Sequence, residues 1–218
     1  MKNADAKKIC IALAKSESEQ EAIDILQEAG LWSRASVWED YDHNPNNFST
    51  IGNQQSSPDT ALVEKLINSV DAVLTRECLR RGIKPDGENA PQNIAEALKD
   101  FFNVYDGKLS SIDALQRTKL AENILLVASG QKSNPCYSII DFGEGQTPKR
   151  IPDTFLSLNK SNKLKIPFVQ GKFNMGGTGA LQFCSKRHNL QLIISKRDPG
   201  IAKNTDDETA DKWGFTII

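Results

Sequence analysis

The chain has 218 residues, of which 39% are hydrophobic, and its formal net charge is −1. This length and apolar content suit one globular domain with room for a modest appendage. The balanced, interspersed charge does not indicate a nucleic-acid or polybasic membrane surface, and no apolar run approaches the ~20 residues that a membrane span needs.

The N-terminal part of the sequence predicts a helical arm. Residues Ala4–Leu31 carry a broken apolar stripe at helical spacing, and Gly30 is a suitable helix stop. The polar stretch Asp40–Asn47 then predicts a linker. We therefore expect an N-terminal arm and linker over residues 1–46, followed by the main domain over residues 47–218.

The main domain opens with the strongest helical pattern in the chain. A serine cap and Pro58 in the first turn predict its start near Ser57, and an apolar stripe follows at Leu62, Leu66, Val70 and Leu74. Two further helices are predicted over Pro91–Phe102 and Ser111–Lys119.

The second half of the sequence predicts short strands around a long irregular stretch. Ile124–Ala128 and Tyr137–Ile140 are typical of buried strands. Phe142–Gly179 is rich in Gly, Asn, Lys and Pro and is too long for an ordinary connection. The remaining predicted elements are a helix and two strands, at Thr178–His188, Leu190–Ser195 and Phe215–Ile218. Because the sequence stops inside an apolar run, we expect that it is truncated at its C-terminal end.

The four cysteines bear on the cellular compartment. They stand far apart and include no Cys-x-x-Cys pair, which predicts reduced, buried thiols rather than a zinc site or a disulfide framework. The charged first residues lack the apolar stretch and cleavage site of a signal peptide. Both features favour a cytoplasmic protein.

Three segments carry residue types suited to phosphate chemistry, and the first is on the helix near Ser57. Glu64 and Asn68 are four residues apart, so they share one helix face, and Asp71 lies on the same side. A carboxamide oxygen suits Mg²⁺, and a carboxylate can orient a water molecule. The alternative is an amphipathic helix that merely exposes its polar residues.

The second segment is Asp141-Phe-Gly143-Glu-Gly145, directly after a predicted strand. An aspartate at a strand end can accept a hydrogen bond from an exocyclic amine such as that of adenine. Glycines allow the backbone to approach a flat base and to adopt positive φ. The alternative is an ordinary strand-to-turn junction.

The third segment is the glycine-rich stretch Gly171–Gly179, which precedes a predicted helix. Backbone N–H groups and the helix dipole at such a start favour phosphates. The alternative is a flexible surface loop capped by Thr178. The stretch is not a P-loop, because no lysine follows Gly176 or Gly177. It is not a Rossmann fingerprint either, because Gln182 stands where that fingerprint needs glycine or alanine.

The three segments, in this order, closely resemble the motifs of the GHKL ATPase superfamily, which includes gyrase B, MutL-type repair proteins, large heat-shock chaperones and sensor histidine kinases. The resemblance covers residues 51–218. It implies an α/β (α+β) two-layer sandwich, the Bergerat-type fold, whose sheet is mixed and mainly antiparallel. ATP or ADP with Mg²⁺ would lie between sheet and helices. Residues 76–120 would form a helical insertion, since gyrase B and MutL have a shorter stretch there.

The resemblance also implies a role for each matching residue. Glu64 corresponds to the residue that activates or positions the attacking water, and Asn68 to the Mg²⁺ ligand. Asp71 and Ala72 complete the first motif. Asp141 corresponds to the aspartate that binds adenine.

Further matches concern the base and the phosphates. Gly143 and Gly145 would lie beside the base, and Thr216 is the candidate for the threonine of a late strand that helps to hold adenine. The phosphate lid matches Gly171–Gly179. The lid residues expected at the nucleotide are Gly171, Lys172, Gly176, Gly177, Thr178 and Gly179.

We therefore expect ATP binding and Mg²⁺-dependent hydrolysis that drives a conformational switch of the lid and of a homodimer. In gyrase B and MutL the resemblance implies that a downstream domain supplies a lysine and that an N-terminal arm joins two subunits, so this chain alone would turn over slowly. One alternative is a non-catalytic nucleotide-sensing interaction module. Another is a histidine kinase catalytic domain, which the two histidines and the missing phospho-acceptor helix pair disfavour.

Overall fold

The structure is a computed structural model that describes residues 3–51, 56–158, 163–171, 178–185, 187–203 and 205–218. Over these residues the chain combines helices with small antiparallel sheets, which agrees with the α+β class. The four strands of the described part pair as two separate two-stranded sheets. No helix within the described ranges combines the length and the apolar character needed to cross a membrane.

The N-terminal arm is a pair of helices, α1 (Asn3–Lys15) and α2 (Glu19–Glu28), which pack against each other. The prediction of one helix over residues 4–31 is therefore wrong. The chain breaks because Ser18 caps α2, its hydroxyl accepting a hydrogen bond from the backbone N–H of Glu21 at 3.2 Å. The Glu21 carboxylate in turn accepts a hydrogen bond from the backbone N–H of Glu17 at 2.8 Å, which holds the turn before α2 in place.

The structure describes both the predicted helix stop and the stretch that was predicted as a linker. Gly30 follows α2 with a φ of +64°, which confirms its part as a helix stop. The polar stretch is packed onto a later segment, since the Tyr41 hydroxyl donates to the Phe155 carbonyl and the Leu158 N–H donates to Asp42 at 3.2 Å. The short elements of this region are the 3₁₀ turns Ala35–Val37 and Tyr41–His43 and helix α3 (Asn47–Ile51).

The core is built around helix α4 (Pro58–Arg80), whose predicted start near Ser57 is confirmed, although the Ser57 side chain makes no capping hydrogen bond. Helices α5 (Ile94–Phe102) and α6 (Ala114–Ala121) also lie where helices were predicted. The rings of Phe101 and Phe168 meet edge to face at 6.2 Å. The buried cluster that joins α4, α5 and the irregular stretch consists of Leu74, Cys78, Ala90, Ala97, Phe101, Phe168 and Val169.

Strands β1 (Ile124–Gln131) and β2 (Asn134–Asp141) form an antiparallel hairpin in which Ile124 is opposite Asp141. The prediction of strands here is confirmed, but the prediction that they are buried is wrong. Their large exposed side chains are Leu125, Leu126, Val127, Tyr137 and Ile140. A two-stranded sheet has two faces, and the packing of α4 against it leaves much of this apolar surface exposed.

The second sheet consists of β3 (Leu192–Lys196) and β4 (Trp213–Ile217), close to the predicted strands. A short helix α7 (Ile151–Thr154) precedes these strands in sequence, and a second, α8 (Pro199–Ala202), lies between them. The side chain of Arg80 at the end of α4 binds Asp198, the cap of α8, with Nη2 and Oδ2 2.6 Å apart. This ion pair ties the end of α4 to the segment that follows β3.

The predicted helix over Thr178–His188 is wrong for the described residues of that stretch. Thr178–Ala180 form a turn, and only a 3₁₀ turn follows at Leu181–Phe183. Ser185 and Asn189 have φ values of +82° and +55°, which a right-handed helix does not contain.

Candidate functional site

One polar face of α4 carries the residues of the first motif. Glu64, Asn68 and Ala72 recur every four residues, so they line one side of the helix over about two turns. Asp71 lies on the flank of this face and is completely buried. The Oε2 atom of Glu64 is also shielded from solvent. This face is therefore partly covered by other parts of the chain, since Glu64, Asn68 and Ala72 are half-buried.

The carboxylate of Asp71 binds the start of the glycine-rich segment. Its Oδ1 accepts a hydrogen bond from the backbone N–H of Gln170 at 2.9 Å, and its Oδ2 accepts one from Gly171 at 2.8 Å. Hydrogen bonds from backbone N–H groups to a carboxylate are among the stronger ones in proteins. Asp71 therefore fixes the position of this segment against α4, and both of its oxygens are engaged within the protein.

Gly171 touches the polar face of α4 closely. A Cβ atom at this position would lie 2.6 Å from Oδ1 of Asn68 and 3.1 Å from Oδ2 of Asp71. The first of these distances is shorter than any normal contact of a side-chain carbon. The carboxamide of Asn68 thus lies directly beneath the backbone with which the predicted lid begins.

Asp141, at the end of β2, faces the same helix. Its Oδ1 accepts a hydrogen bond from the Gly143 N–H at 2.9 Å, and its Oδ2 accepts one from the Ser69 hydroxyl of α4 at 3.3 Å. The residue is open to solvent, yet enough protein surrounds its carboxyl group for burial to raise the pKa, against the opposing effect of these hydrogen bonds. Asp141 is therefore fixed against α4 while solvent still reaches it.

Gly143 brings the turn after β2 into contact with α4. A Cβ atom at Gly143 would lie 2.4 Å from Cβ of Ala72, and the N–H of Glu144 donates to the Ala72 carbonyl at 3.1 Å. The pairing of an alanine with a glycine permits this approach. The second and first motifs are therefore in direct contact.

Gly145 brings the same turn into contact with the second sheet. Its φ is +62°, and a Cβ atom there would lie 1.8 Å from the Lys196 carbonyl oxygen at the end of β3. Arg197 holds the two segments together, since its Nη1 donates to Glu144 at 2.7 Å and to the Gly145 carbonyl at 2.9 Å. Glycine is required at position 145 by conformation and by space.

Thr216 lies on β4 opposite Ile193. Paired residues of antiparallel strands project to the same face, as do residues two apart, so Thr216 shares a face with Ser195. The Ser195 hydroxyl accepts a hydrogen bond from the Gln146 N–H at 2.8 Å. Thr216 is thus on the face that the glycine turn approaches, and its contact with adenine stays a prediction.

The lid residues are only partly described. Thr178 and Gly179 are buried, whereas Lys172, Gly176 and Gly177 lie outside the described residues. The helix that was expected to present its N-terminus to phosphates is not formed by the described residues from Thr178 to Ser185. The helix-dipole contribution to an anion site is therefore a wrong prediction for this part of the chain.

Arg76 is a buried residue of the site that the sequence reasoning missed. It follows Ala72 by one turn of α4 and donates through Nη1 to the Phe142 carbonyl, next to Asp141. Its Nη2 also donates to Asn123 at 3.0 Å and to Glu77 at 2.8 Å. The signal available in the sequence was an arginine on the same face as the first motif.

Lys163 is a second residue that the sequence reasoning missed. Its Nζ lies 3.5 Å from Oδ1 of Asn68 and 3.8 Å from Oδ2 of Asp71, and its charge favours the ionised form of Asp141. The side chain is 25% exposed. Nothing local distinguishes it in sequence, because it belongs to an irregular stretch that contains several lysines.

The donor set limits the kind of metal that could bind. No group of three or more His, Cys, Asp and Glu residues in the described part of the chain is arranged to hold a metal ion. A Mg²⁺ ion that arrives with a nucleotide needs few protein ligands, because phosphates and water supply the others. The carboxamide oxygen of Asn68 fits that requirement.

The structure thus brings together Asn68, Asp71 and Ala72 of α4, Asp141 and Gly143 after β2, and Gly171 of the third motif. Comparison of the chain with known proteins found no matching family model, no matching curated protein and no matching solved structure.

Proposed function

We propose that this chain is a GHKL-type ATPase domain of the Bergerat-type fold, which binds ATP or ADP with Mg²⁺ and hydrolyses ATP. The observation that carries the proposal is the meeting of two distant segments, those of Gly143 and Gly171, on one face of α4. Asn68 is covered by Gly171, and one turn later Ala72 packs against Gly143 beside Asp141. An amphipathic helix with a merely exposed polar face has no need of two glycines against that face.

The Asp141 end of the site would hold the base. Its carboxylate is open to solvent, and it is fixed by hydrogen bonds from Gly143 and Ser69. It would accept a hydrogen bond from the exocyclic amine of adenine. The close approach of the Gly143 backbone to Ala72 keeps this carboxylate next to α4, which carries the first motif.

The Asn68 end of the site would hold the phosphates and Mg²⁺. The carboxamide oxygen of Asn68 is a hard ligand of the kind that Mg²⁺ prefers. Bound Mg²⁺ neutralises charge on the phosphates, which is a large part of catalysis in phosphoryl transfer. Glu64 lies one further turn along α4 and would orient the attacking water.

Asp71 would give the lid a fixed point. Because its carboxylate holds the backbone of Gln170 and Gly171, the chain enters the glycine-rich segment from a defined position next to Asn68. Rearrangement of the residues beyond Gly171 around the nucleotide would be the switch that hydrolysis resets. A homodimer would transmit this switch.

The experiment that tests the proposal is nucleotide-linked thermal stability. A ligand that binds only the folded protein at a hundred times its Kd adds roughly 2.7 kcal/mol, which corresponds to an increase in Tm of about 5–10 °C at this size. Asp141→Ala should abolish this increase, whereas Asp100→Ala, at an exposed position on α5, should retain it. A full increase in the Asp141 variant would remove Asp141 from the site.

Phosphate release separates hydrolysis from binding alone. We expect Mg²⁺-dependent release that Glu64→Ala abolishes. Binding of ATP with no release of phosphate at any protein concentration would assign the chain to non-catalytic nucleotide sensing.

A further inference from the structure

Lys163 occupies an unusual position for a lysine of an irregular segment. Its ammonium group lies beside the carboxamide oxygen of Asn68, at 3.5 Å, and beside Oδ2 of the buried Asp71, at 3.8 Å. The backbone of Gly171 contacts the same Asn68 oxygen, since a Cβ atom at Gly171 would lie 2.6 Å from it. The cation is therefore held at the one oxygen that the proposed function gives to Mg²⁺.

The charge of Lys163 balances the charge of this part of the site. Asp71 has no exposed surface, and burying a carboxylate without an opposite charge is costly. Its oxygens receive two backbone hydrogen bonds, and the ammonium group supplies the opposite charge. The negative charge of Asp71 is therefore balanced by groups of the protein itself, without a metal ion.

An ammonium group at this place and a divalent cation on Asn68 exclude each other. Mg²⁺ binds its oxygen ligands at about 2.0–2.1 Å, so an ion on the Asn68 oxygen would lie within a few ångströms of the present Nζ position. Like charges at that separation repel strongly in a partly buried site. The lysine side chain has to move when the metal binds.

We propose that Lys163 is the resident cation of the phosphate end of the site, and that its ammonium group and a divalent cation alternate beside Asn68. This inference rests on the proposed function for its ligand, a nucleoside di- or triphosphate. With Mg²⁺ absent, Lys163 neutralises phosphate charge and lets the site hold the nucleotide without a metal. With Mg²⁺ present, the side chain leaves Asn68 to the metal.

The first test uses Mn²⁺ and the protein without nucleotide. The electron paramagnetic resonance signal of free Mn²⁺ falls when the ion binds, which gives its Kd directly. Replacing the lysine with a neutral side chain in Lys163→Met leaves Asp71 and Asn68 with no resident cation, so we expect Mn²⁺ to bind about tenfold or more tightly than to the wild type. Adding Asn68→Ala to this variant should remove the gain, and Lys163→Arg should behave as the wild type.

The second test measures ADP binding by calorimetry in excess Mg²⁺ and in excess chelator. The wild type should lose only a modest factor when Mg²⁺ is removed, because Lys163 replaces it. Lys163→Met should lose about tenfold more than the wild type on the same change. Lys165→Met is the matched control, since this neighbouring lysine is exposed, and it should follow the wild type in both tests.

Folding of each variant is checked by circular dichroism and its Tm. If Lys163→Met does not fold because Asp71 has lost its opposite charge, Lys163→Gln is used in the same two tests. The proposal is overturned if the neutral variant gains no Mn²⁺ affinity, or if Mg²⁺ improves ADP binding by the same factor in the variant and in the wild type. Failure of the wild type to bind any nucleotide would instead overturn the proposed function, while the Mn²⁺ test would still decide the place of Lys163.

Discussion

Gly143 packs against Ala72 so closely that a Cβ atom at position 143 would lie 2.4 Å from the Ala72 Cβ and 2.9 Å from its carbonyl carbon. The turn after β2 and the middle of α4 therefore meet through the two smallest side chains. This contact sets the distance between Asp141 and the polar face of α4, and two other residues, Ser69 and Arg76, reinforce it from the helix.

A methyl group at position 143 should force the turn away from α4. We expect Gly143→Ala to lower the free energy of unfolding by about 1–3 kcal/mol, as overpacking of a tight contact does, and to abolish nucleotide binding. Urea unfolding and calorimetry measure the two effects. Gly87→Ala is the control, because the atom nearest to a Cβ there would be the Lys84 carbonyl oxygen at 3.1 Å, a much less severe contact. An equal loss in both variants would contradict a special contact between Gly143 and Ala72.

The ionisation of Asp141 should make folding less favourable as the pH rises. Burial raises the pKa of this carboxyl group above its ordinary value of 3.8, so the folded protein holds the proton more tightly than the unfolded chain. Ionisation of Asp141 therefore lowers the free energy of unfolding. This loss is absent below pH 3.8 and complete above the raised pKa. Asp141→Asn should therefore be more stable than the wild type at pH 7, and this advantage should vanish at low pH. Thermal unfolding over a pH series tests the sign, and a wild type that is the more stable at pH 7 would contradict it.

Glu64 and Asn68 should have separable effects although they are one turn apart. Glu64→Ala should bind nucleotide normally and release no phosphate, because Glu64 is proposed to act on water. Asn68→Ala should lose only the part of nucleotide binding that depends on Mg²⁺. Calorimetry with and without Mg²⁺, together with a phosphate-release assay, distinguishes the two variants. Equal loss of binding in both would mean that the polar face has a structural role only.

Lys65, between these two residues on α4, should also show a pH-dependent effect. Burial lowers the pKa of its ammonium group from 10.5 to about 8, so the folded state disfavours the charged form. The charged Lys65 therefore lowers the free energy of unfolding. This effect is complete below about pH 8 and disappears above pH 10.5. Lys65→Met should then stabilise the protein at pH 7, on the order of 1–3 kcal/mol, and the gain should shrink as the pH rises. The exposed Lys99→Met should show no such trend.

The elements that the sequence predicted correctly have strong local signals. Helix α4 has a proline in its first turn and a long apolar stripe, and β3 is a short apolar run. The break before α2 was also available in the sequence, since Ser18 and Glu21 form a capping pattern. The apolar stripe continues across this capping pattern, however, and a continuous stripe favours a single helix.

Other features depend on contacts between distant parts of the chain and have no local signal. Lys163 reaches Asn68 across 95 positions of sequence, and Arg76 reaches Phe142 across 66. Likewise, the exposure of the β1–β2 hairpin depends on what packs against it rather than on its own apolar residues. The meeting of the three motifs was predictable only because their order resembles that of a known superfamily.

The fold of the N-terminal arm determines how far it extends. A single helix over residues 4–31 would be about 42 Å long at 1.5 Å per residue, whereas the 13 residues of α1 span about 20 Å. The turn before α2 also rests on the body of the protein, because Glu17 lies against Gly130 of β1 and Glu19 accepts a hydrogen bond from the His188 N–H. The arm is therefore a compact pair of helices, and its turn is held against β1 and against the segment that precedes β3.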